Sequence, residues 1–379
     1  MSGFPVERVA VVGGGAVGTA VAWRAAAAGF RVSLIDPEPA SGASHVAGGM
    51  LAPIAEAWPG EEDLLELGAA SLHRWPQFAD ELAAAAGTPS GLRREGTLVV
   101  GVDSADREEL DNLADHLSRL GREVTRLTGR QLRSAEPSLG PAVRRGLHVP
   151  GDLAVDNRVA LDALQRAARS AGVEFVPRSA ARVRPGAVEL SGDPGEAGPA
   201  ETVDCDAAVI AAGAHSAELH PALRDKIRPV KGEILRLRAR SSALPPPGRT
   251  VRGPVHGRQV YLVPRDDGGL VVGATQYEKG FDTEVTVGGV RDLIADAEQL
   301  LPGIAEYELT EAAAGVRPGT PDNLPVIGFC EPGVLAATGH HRNGFLLTPI
   351  TADAVVELLR GGAPAGIAAA DPHRWGGHR

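Results

Sequence analysis

Three glycines, Gly13, Gly15 and Gly18, stand in the spacing G-x-G-x-x-G between a short apolar run, Arg8 to Val12, and an alanine-rich stretch, Ala16 to Ala28. Each has a separate task in holding a dinucleotide. The first permits a tight turn, the second admits a pyrophosphate to the backbone, and the third lets helix and strand pack closely. The helix that follows offers free N–H groups and a partial positive charge to phosphates. A second apolar run, Arg31 to Ile35, ends in Asp36, placed to accept a bond from a ribose 2′-hydroxyl. An acid there disfavours a 2′-phosphate, which leaves FAD or NAD.

Two features favour FAD. A glycine-dense stretch, Gly42 to Met50, directly follows the acid, where backbone must come close to a cofactor. A second strand-to-glycine turn, Val209-Ile210-Ala211-Ala212-Gly213, lies far downstream, and a third glycine-rich segment, Thr338 to Gly344, lies near the C-terminus. An extended FAD is wrapped by such remote pieces, whereas NAD is held by one contiguous domain.

The remaining pattern supplies elements to position such a site. Helical periodicity runs over Glu62 to Ala85, Ala105 to Leu120, Arg158 to Ala171, Val287 to Leu301 and Thr351 to Arg360. Strand-like runs cover Gly96 to Val102, Val173 to Pro177, Ala181 to Leu190, Ala207 to Ala212 and Gly232 to Arg238. Two more, Gln259 to Pro264 and Leu270 to Ala274, are joined by Arg265-Asp266-Asp267-Gly268-Gly269, a hairpin signal. A loop or hairpin is expected over Gly146 to Asn157, and a surface turn over Ser191 to Ala200. This fits an N-terminal nucleotide fold interrupted by a mainly antiparallel substrate domain. The expected division gives 1–85, 145–220 and 315–365 to the nucleotide domain and 86–144 and 221–314 to the substrate domain. Residues 366–379 read as a poorly ordered tail.

The 379 residues are 43% hydrophobic and 23% charged, as in an ordinary globular protein. A net charge of −10 argues against a nucleic-acid partner, because phosphate binding needs clustered cations. Cys205 and Cys330, the two cysteines, make neither a disulfide framework nor a four-ligand zinc site, and no metal is expected. The N-terminus lacks a signal-peptide pattern, and no run approaches the roughly 20 apolar residues of a membrane span. A cytoplasmic protein without membrane attachment is expected.

Three stretches resemble a known family: Ala43-Ser44-His45-Val46-Ala47-Gly48-Gly49-Met50-Leu51, Gly315-Val316-Arg317-Pro318-Gly319-Thr320-Pro321-Asp322 and Gly339-His340-His341-Arg342-Asn343-Gly344. With the glycine fingerprint they resemble the D-amino-acid oxidase superfamily of FAD-dependent oxidoreductases, and within it the bacterial glycine oxidases of thiamine biosynthesis. The resemblance runs from about Arg8 to about Leu359, and its two C-terminal motifs are the specific part. It implies an α/β fold: a glutathione-reductase-type, FAD-binding Rossmann domain with a second, α+β substrate domain built on a mainly antiparallel sheet. It implies a two-electron oxidation of glycine, sarcosine or a small D-amino acid. The α-hydrogen leaves as hydride, the imine hydrolyses to the 2-oxo acid (glyoxylate from glycine), and O2 is reduced to H2O2. In thiamine-making organisms the imine itself feeds thiazole formation. Relatives are commonly homo-oligomers, tetramers or dimers.

Carried over by motif, Arg317 would pair with the substrate carboxylate, which a guanidinium fork matches bidentately. Tyr261 matches the substrate-facing tyrosine, and Arg342 a second arginine at the substrate and flavin edge. These three are the candidate catalytic residues. Gln259 replaces an expected histidine and Gln276 a frequent methionine, so both would line the substrate pocket. Cofactor contacts are expected from Gly13, Gly14, Gly15, Ala16, Val17 and Gly18, then Asp36 and Pro37. Ser44, His45, Ala47, Gly48, Gly49 and Met50 follow, with the main chain of Val183 at the adenine and the turn Ala212-Gly213. His340, His341, Arg342, Asn343, Gly344, Phe345 and Leu346 would run along the flavin ring. Cys330 lies too far past Arg317 to match the cysteine of relatives with covalent flavin, so a noncovalent FAD is expected. A hydride mechanism needs only a deprotonated amine with its Cα–H aimed, so no general base is required, although His256, His340 and His341 could assist. Three other readings stay open: a dehydrogenase of the same fold that passes electrons to an acceptor other than oxygen, an NAD-dependent dehydrogenase, and a non-catalytic flavin-binding module.

Overall fold

The computed structural model describes residues 6–192 and 201–376. Its first strand, Arg8–Val12, is buried over all but its first residue and has parallel partners on both sides, Arg31–Ile35 and Ala207–Ile210. Strands apolar on both faces need cover on both faces, as in a parallel sheet flanked by helices. The six-stranded order is Val326–Glu331, Val334–Thr338, Ala207–Ile210, Arg8–Val12, Arg31–Ile35 and Glu174–Val176. Only the first of these runs antiparallel to its neighbour. The helix Ala16–Ala27 buries mainly small residues, which lets it sit close to the sheet. Together with Glu62–Ala86, Asn157–Ser170 and Gly344–Leu359 it encloses an apolar core around Trp75 and Phe78.

A second sheet has eight strands in the order Glu308–Gly319, Arg228–Arg238, Gly269–Gly273, Arg258–Pro264, Thr250–Val255, Thr97–Gly101, Arg145–Val149 and Thr125–Thr128. It is antiparallel except where Thr250–Val255 meets Thr97–Gly101. The expected hairpin joins Arg258–Pro264 to Gly269–Gly273, and the helix Val287–Leu300 covers one face. A Rossmann-type layer and a mainly antiparallel sheet are therefore both present, as the fold class requires.

Several local expectations change. The run read as one strand over 181–190 is a hairpin, Ala180–Arg184 with Ala187–Leu190, turned at Gly186, whose φ of 88° suits glycine. The last long helix starts at Gly344, not Thr351, and carries Pro349 inside it. Almost all of its first turns are buried, so it shows no amphipathic period to mark its start. The strand Glu308–Gly319 was not legible, because its alanines favour helix by propensity; pairing along Arg228–Arg238 overrides that. Arg145–Val149 pairs with Thr97–Gly101 in the second sheet, across the division expected at 144/145. The tail is not loose through Gly376: Ile367 and Ala370 are buried, and Arg374 grips Asp322 with bonds of 2.8 and 3.0 Å. The surface turn expected at 191–200 lies, from 193 onward, outside the described residues. No described helix is long and apolar enough to cross a membrane.

Trp75 is 1% exposed, and its Nε1 donates to the Leu346 carbonyl at 3.0 Å in the first turn of Gly344–Leu359. Trp75→Ala should lower unfolding free energy by about 3–5 kcal/mol, read from denaturant melts.

Candidate active site

A cavity of about 1280 Å³ reaches from the glycine turn of the first strand to Tyr261 and Arg317. At its nucleotide end Gly13 has φ 105°, and a Cβ there would overlap the Ala211 carbonyl. A Cβ on Gly18 would likewise strike the Gly13 carbonyl, so this residue sets the approach of helix to strand. Asp36 accepts the Gly14 N–H at 2.6 Å and the Glu38 N–H at 2.8 Å, tying the acid to the loop it flanks. Ser44 Oγ accepts the Ala16 N–H at 3.1 Å. The helix Ala16–Ala27 has no acid in its first turn and no cap from its own N-cap residue, Gly15, so beyond the Ala16 N–H its positive end is left for an anion. The cavity exceeds the roughly 300–1,000 Å³ usual for one small ligand, leaving room for a dinucleotide and a small substrate. Cradle, acid and space fit FAD.

The loop after Asp36 is held from behind. Asn157 Nδ2 donates to the carbonyls of Ser44 and His45, both at 2.9 Å. Arg236 adds a bond of 3.2 Å to His45, and Arg265 one of 2.9 Å to Gly48. Burial lowers the pKa of both guanidiniums; that of Arg236 is pushed down to about 10, with Arg158 and Arg265 adding to the effect.

At the substrate end the Tyr261 ring lies between Gly48 and Gly273, either of which would collide with it if it carried a Cβ. Burial raises the phenol's pKa, so Tyr261 stays a neutral hydroxyl. Arg317 lies within the strand Glu308–Gly319, and its guanidinium lies over Gly232 of the neighbouring strand, where a Cβ would overlap it and force it to move. It donates to the Thr275 carbonyl at 3.3 Å, and among the described residues no carboxylate pairs with it. Arg342, by contrast, is engaged: its Nε is 3.5 Å from Glu56 and its Nη2 3.6 Å from Glu61. Among the described residues, the free cation facing this end is Arg317.

His340 and His341 both line the cavity. Desolvation pushes each imidazole down to about 3, with Arg317 and Arg342 adding to the effect at His341. Such rings stay neutral and are poor bases at neutral pH. His256 is elsewhere, bonded to Asp103 at 3.0 Å.

Most expected residues meet in this one cavity. Gly13, Gly15, Ala16, Val17, Asp36 and Pro37 line the nucleotide end. Ser44, Ala47, Gly48, Gly49, Met50, Ala212 and Gly213 continue along it. Gln259, Gln276, Gly344 and Phe345 also border it. Gln259 is turned aside, donating to Glu109 at 2.8 Å and accepting from Arg252 at 3.3 Å. Six expected contacts are not on the wall. Gly14 and Gly18 shape the turn from behind it, and His45 sits among Arg158, Glu311 and Arg236. Val183 is core, and Ala180 of the same strand reaches the cavity instead. Asn343 is buried outside it, and the Leu346 carbonyl is taken by Ser71 and Trp75. Sequence reading missed Glu56, Glu61 and Arg252, which belong to no motif, and did not single out Thr275, next to Gln276. It also missed Asp152, wholly buried, which accepts the N–H groups of Ile54 at 3.3 Å and Ala55 at 3.1 Å and so fixes the turn that presents Glu56.

Comparison with known proteins agrees with this layout. The family model for FAD dependent oxidoreductases (DAO) matches residues 8–358. A glycine oxidase of Geobacillus kaustophilus is 32% identical over 93% of this chain and 92% of its own length. The bifunctional protein ThiO/ThiG of Synechocystis sp. is 33% identical over 93% of this chain, but the chain spans only 51% of that relative, about half its length. The crystal structure of glycine oxidase from Geobacillus kaustophilus superposes with a TM-score of 0.87 at 31% identity, covering 97% of this chain and 99% of the other. The chain belongs to the DAO family of FAD-dependent oxidoreductases.

Two outcomes follow from the geometry. Gly232→Ala should displace the Arg317 guanidinium and lower kcat/KM for an amino acid about 100-fold while FAD remains bound, measured by steady-state kinetics and the flavin spectrum. Burial raises the Asp152 carboxyl from 3.8 to about 8, against the pull of the Ile54 and Ala55 N–H groups and Arg252. The folded state thus binds this proton more tightly than the unfolded chain does. Its stabilising effect is full below the unfolded pKa and is lost as pH rises through about 8. Wild type should therefore lose stability relative to Asp152→Asn between pH 5 and pH 8, compared by melting both proteins at each pH.

Proposed function

We propose that the protein is an FAD-dependent amino-acid oxidase acting on glycine, with sarcosine and small D-amino acids as further substrates and O2 as electron acceptor. The observation that carries this reading is Arg317, free of any carboxylate among the described residues, beside Tyr261 in the cavity that holds the nucleotide cradle at its other end. A lone guanidinium resting on bare backbone matches a carboxylate bidentately. Its family membership and its likeness to glycine oxidases support the same substrate class.

FAD, when bound, supplies a two-electron acceptor for the substrate's α-hydride. Arg317 holds the carboxylate and so fixes where Cα stands. Tyr261, kept neutral by burial, can donate a hydrogen bond without adding charge beside that carboxylate. His340 shares a bond of 3.0 Å with Thr351 and holds its part of the wall in place. Both imidazoles are poor proton acceptors at neutral pH, and the cavity opens to water on the side where Gln259 and Trp58 are exposed, which gives the ammonium proton a route out. The imine product hydrolyses to the 2-oxo acid, glyoxylate from glycine, or passes to thiazole formation in thiamine biosynthesis. The helix Gly344–Leu359, uncapped by a side chain and without an acid in its first turn, directs its positive end at the cavity and favours negative charge there.

Anaerobic mixing with glycine, sarcosine and D-alanine should bleach the flavin band near ~450 nm, and air should restore it with release of peroxide. Slow recovery in air would replace the oxidase with a dehydrogenase, and no bleaching by any amino acid would remove the reading. Arg317→Ala should raise KM about 100-fold or more with FAD retained. Loss of FAD with unchanged KM would show that Arg317 serves the cofactor instead.

A further inference from the structure

The cavity has a second charged wall. Arg252, on Thr250–Val255, stands directly across from Tyr261 on Arg258–Pro264, so both side chains leave the same face of the sheet. Arg252 donates to the Ala55 carbonyl, and its Nη2 lies 3.6 Å from one Glu56 oxygen. The other Glu56 oxygen is 3.5 Å from Arg342 Nε, and Arg342 reaches Glu61 at 3.6 Å. Two guanidiniums and two carboxylates therefore cancel along this wall. Glu109, bonded through Gln259, leaves it with a small excess of negative charge. The side chains of Glu56 and Arg252 are only 16% and 12% exposed, so solvent screens them weakly.

We propose that Glu56 is a specificity-determining residue: by neutralising Arg252 and Arg342 it restricts the site to substrates with one carboxylate, bound at Arg317, and turns away those with a second. This rests on the amino-acid oxidase reading above. An amino acid with a second carboxylate, on its nitrogen or its side chain, would bring that group against Glu56 and Glu61. Like charges brought together in a shielded site discriminate strongly. Without the Glu56 charge the two guanidiniums face Glu61 and, at one remove through Gln259, Glu109, so the negative excess of the wall is gone and Arg252, left with no carboxylate of its own, can receive a second anion.

The test uses FAD-loaded protein and two kinds of measurement. Calorimetry compares acetate with malonate, neither of which is oxidised as an amino acid. Steady-state kinetics compares glycine with iminodiacetate, its N-carboxymethyl derivative. In Glu56→Gln the malonate-to-acetate affinity ratio and the iminodiacetate-to-glycine ratio of kcat/KM should each rise about tenfold or more. In Arg252→Gln, which leaves Glu56 with one cation fewer, both ratios should fall about threefold or more. Ratios that stay put in either variant, or acids that weaken or tighten together, would assign Glu56 a structural role and overturn the proposal. Arg317→Ala separates the two ideas. If it leaves acetate binding intact, the carboxylate site and the reading built on it fail; if it abolishes acetate binding while the Glu56 ratios do not move, only the present proposal fails.

Discussion

Two buried guanidiniums, those of Arg236 and Arg265, reach from the antiparallel sheet to the carbonyls of His45 and Gly48 in the loop that leaves the nucleotide sheet. Taking two cations out of water is costly, and burial depresses both. Bonds to those carbonyls and to Asn157, with Asp156 and Glu311 nearby, offset that cost. The result joins the two sheets at one point. Once the loop is fixed there, Gly48 faces the Tyr261 ring, Gly49 can lie against the Val155 carbonyl, and the cavity gains a continuous wall between cofactor cradle and substrate end.

Charge is distributed unevenly along that cavity. Histidines that would carry charge in water are held neutral by desolvation, and Arg342 is matched by acids. Among the described residues, the positive charge that stays uncompensated is a helix end at each glycine-rich turn and Arg317 beside Tyr261. A ligand carrying phosphates at one extremity and meeting a small carboxylate at the other satisfies all of these at once. No described residue needs to titrate at neutral pH for that arrangement to work.

Motifs whose function requires a fixed local backbone were readable from the chain. The glycine fingerprint, Asp36 and the hairpin around Asp267-Gly268 each demand particular residues at particular spacings, and the structure places them as expected. The C-terminal motifs placed Arg317 and His341 on the same cavity through resemblance, not through any local pattern. Residues that act through distant partners left no local trace. Glu56 means nothing until Asp152, almost a hundred positions later, fixes its turn, and Arg252 is one arginine among many until its strand pairs with that of Tyr261. Val183, taken from the resemblance, is a core residue of its strand, and it is Ala180 on that strand that reaches the cavity. Arg342 borders the cavity, yet its charge is spoken for by acids that no motif announces.

Gly232 gives Arg317 a flat bed, with Gly315 opposite it in the register between their strands. A free arginine side chain has about 2 kcal/mol of rotamer entropy to lose when it is held in one geometry. Lying on bare backbone and tethered to the Thr275 carbonyl, Arg317 loses much of that freedom when the chain folds, before any ligand arrives. A molecule as small as glycine offers few contacts from which to recover such a loss. Under the proposed function, the absence of a side chain at one sheet position would let a very small ligand be bound tightly enough to be oriented.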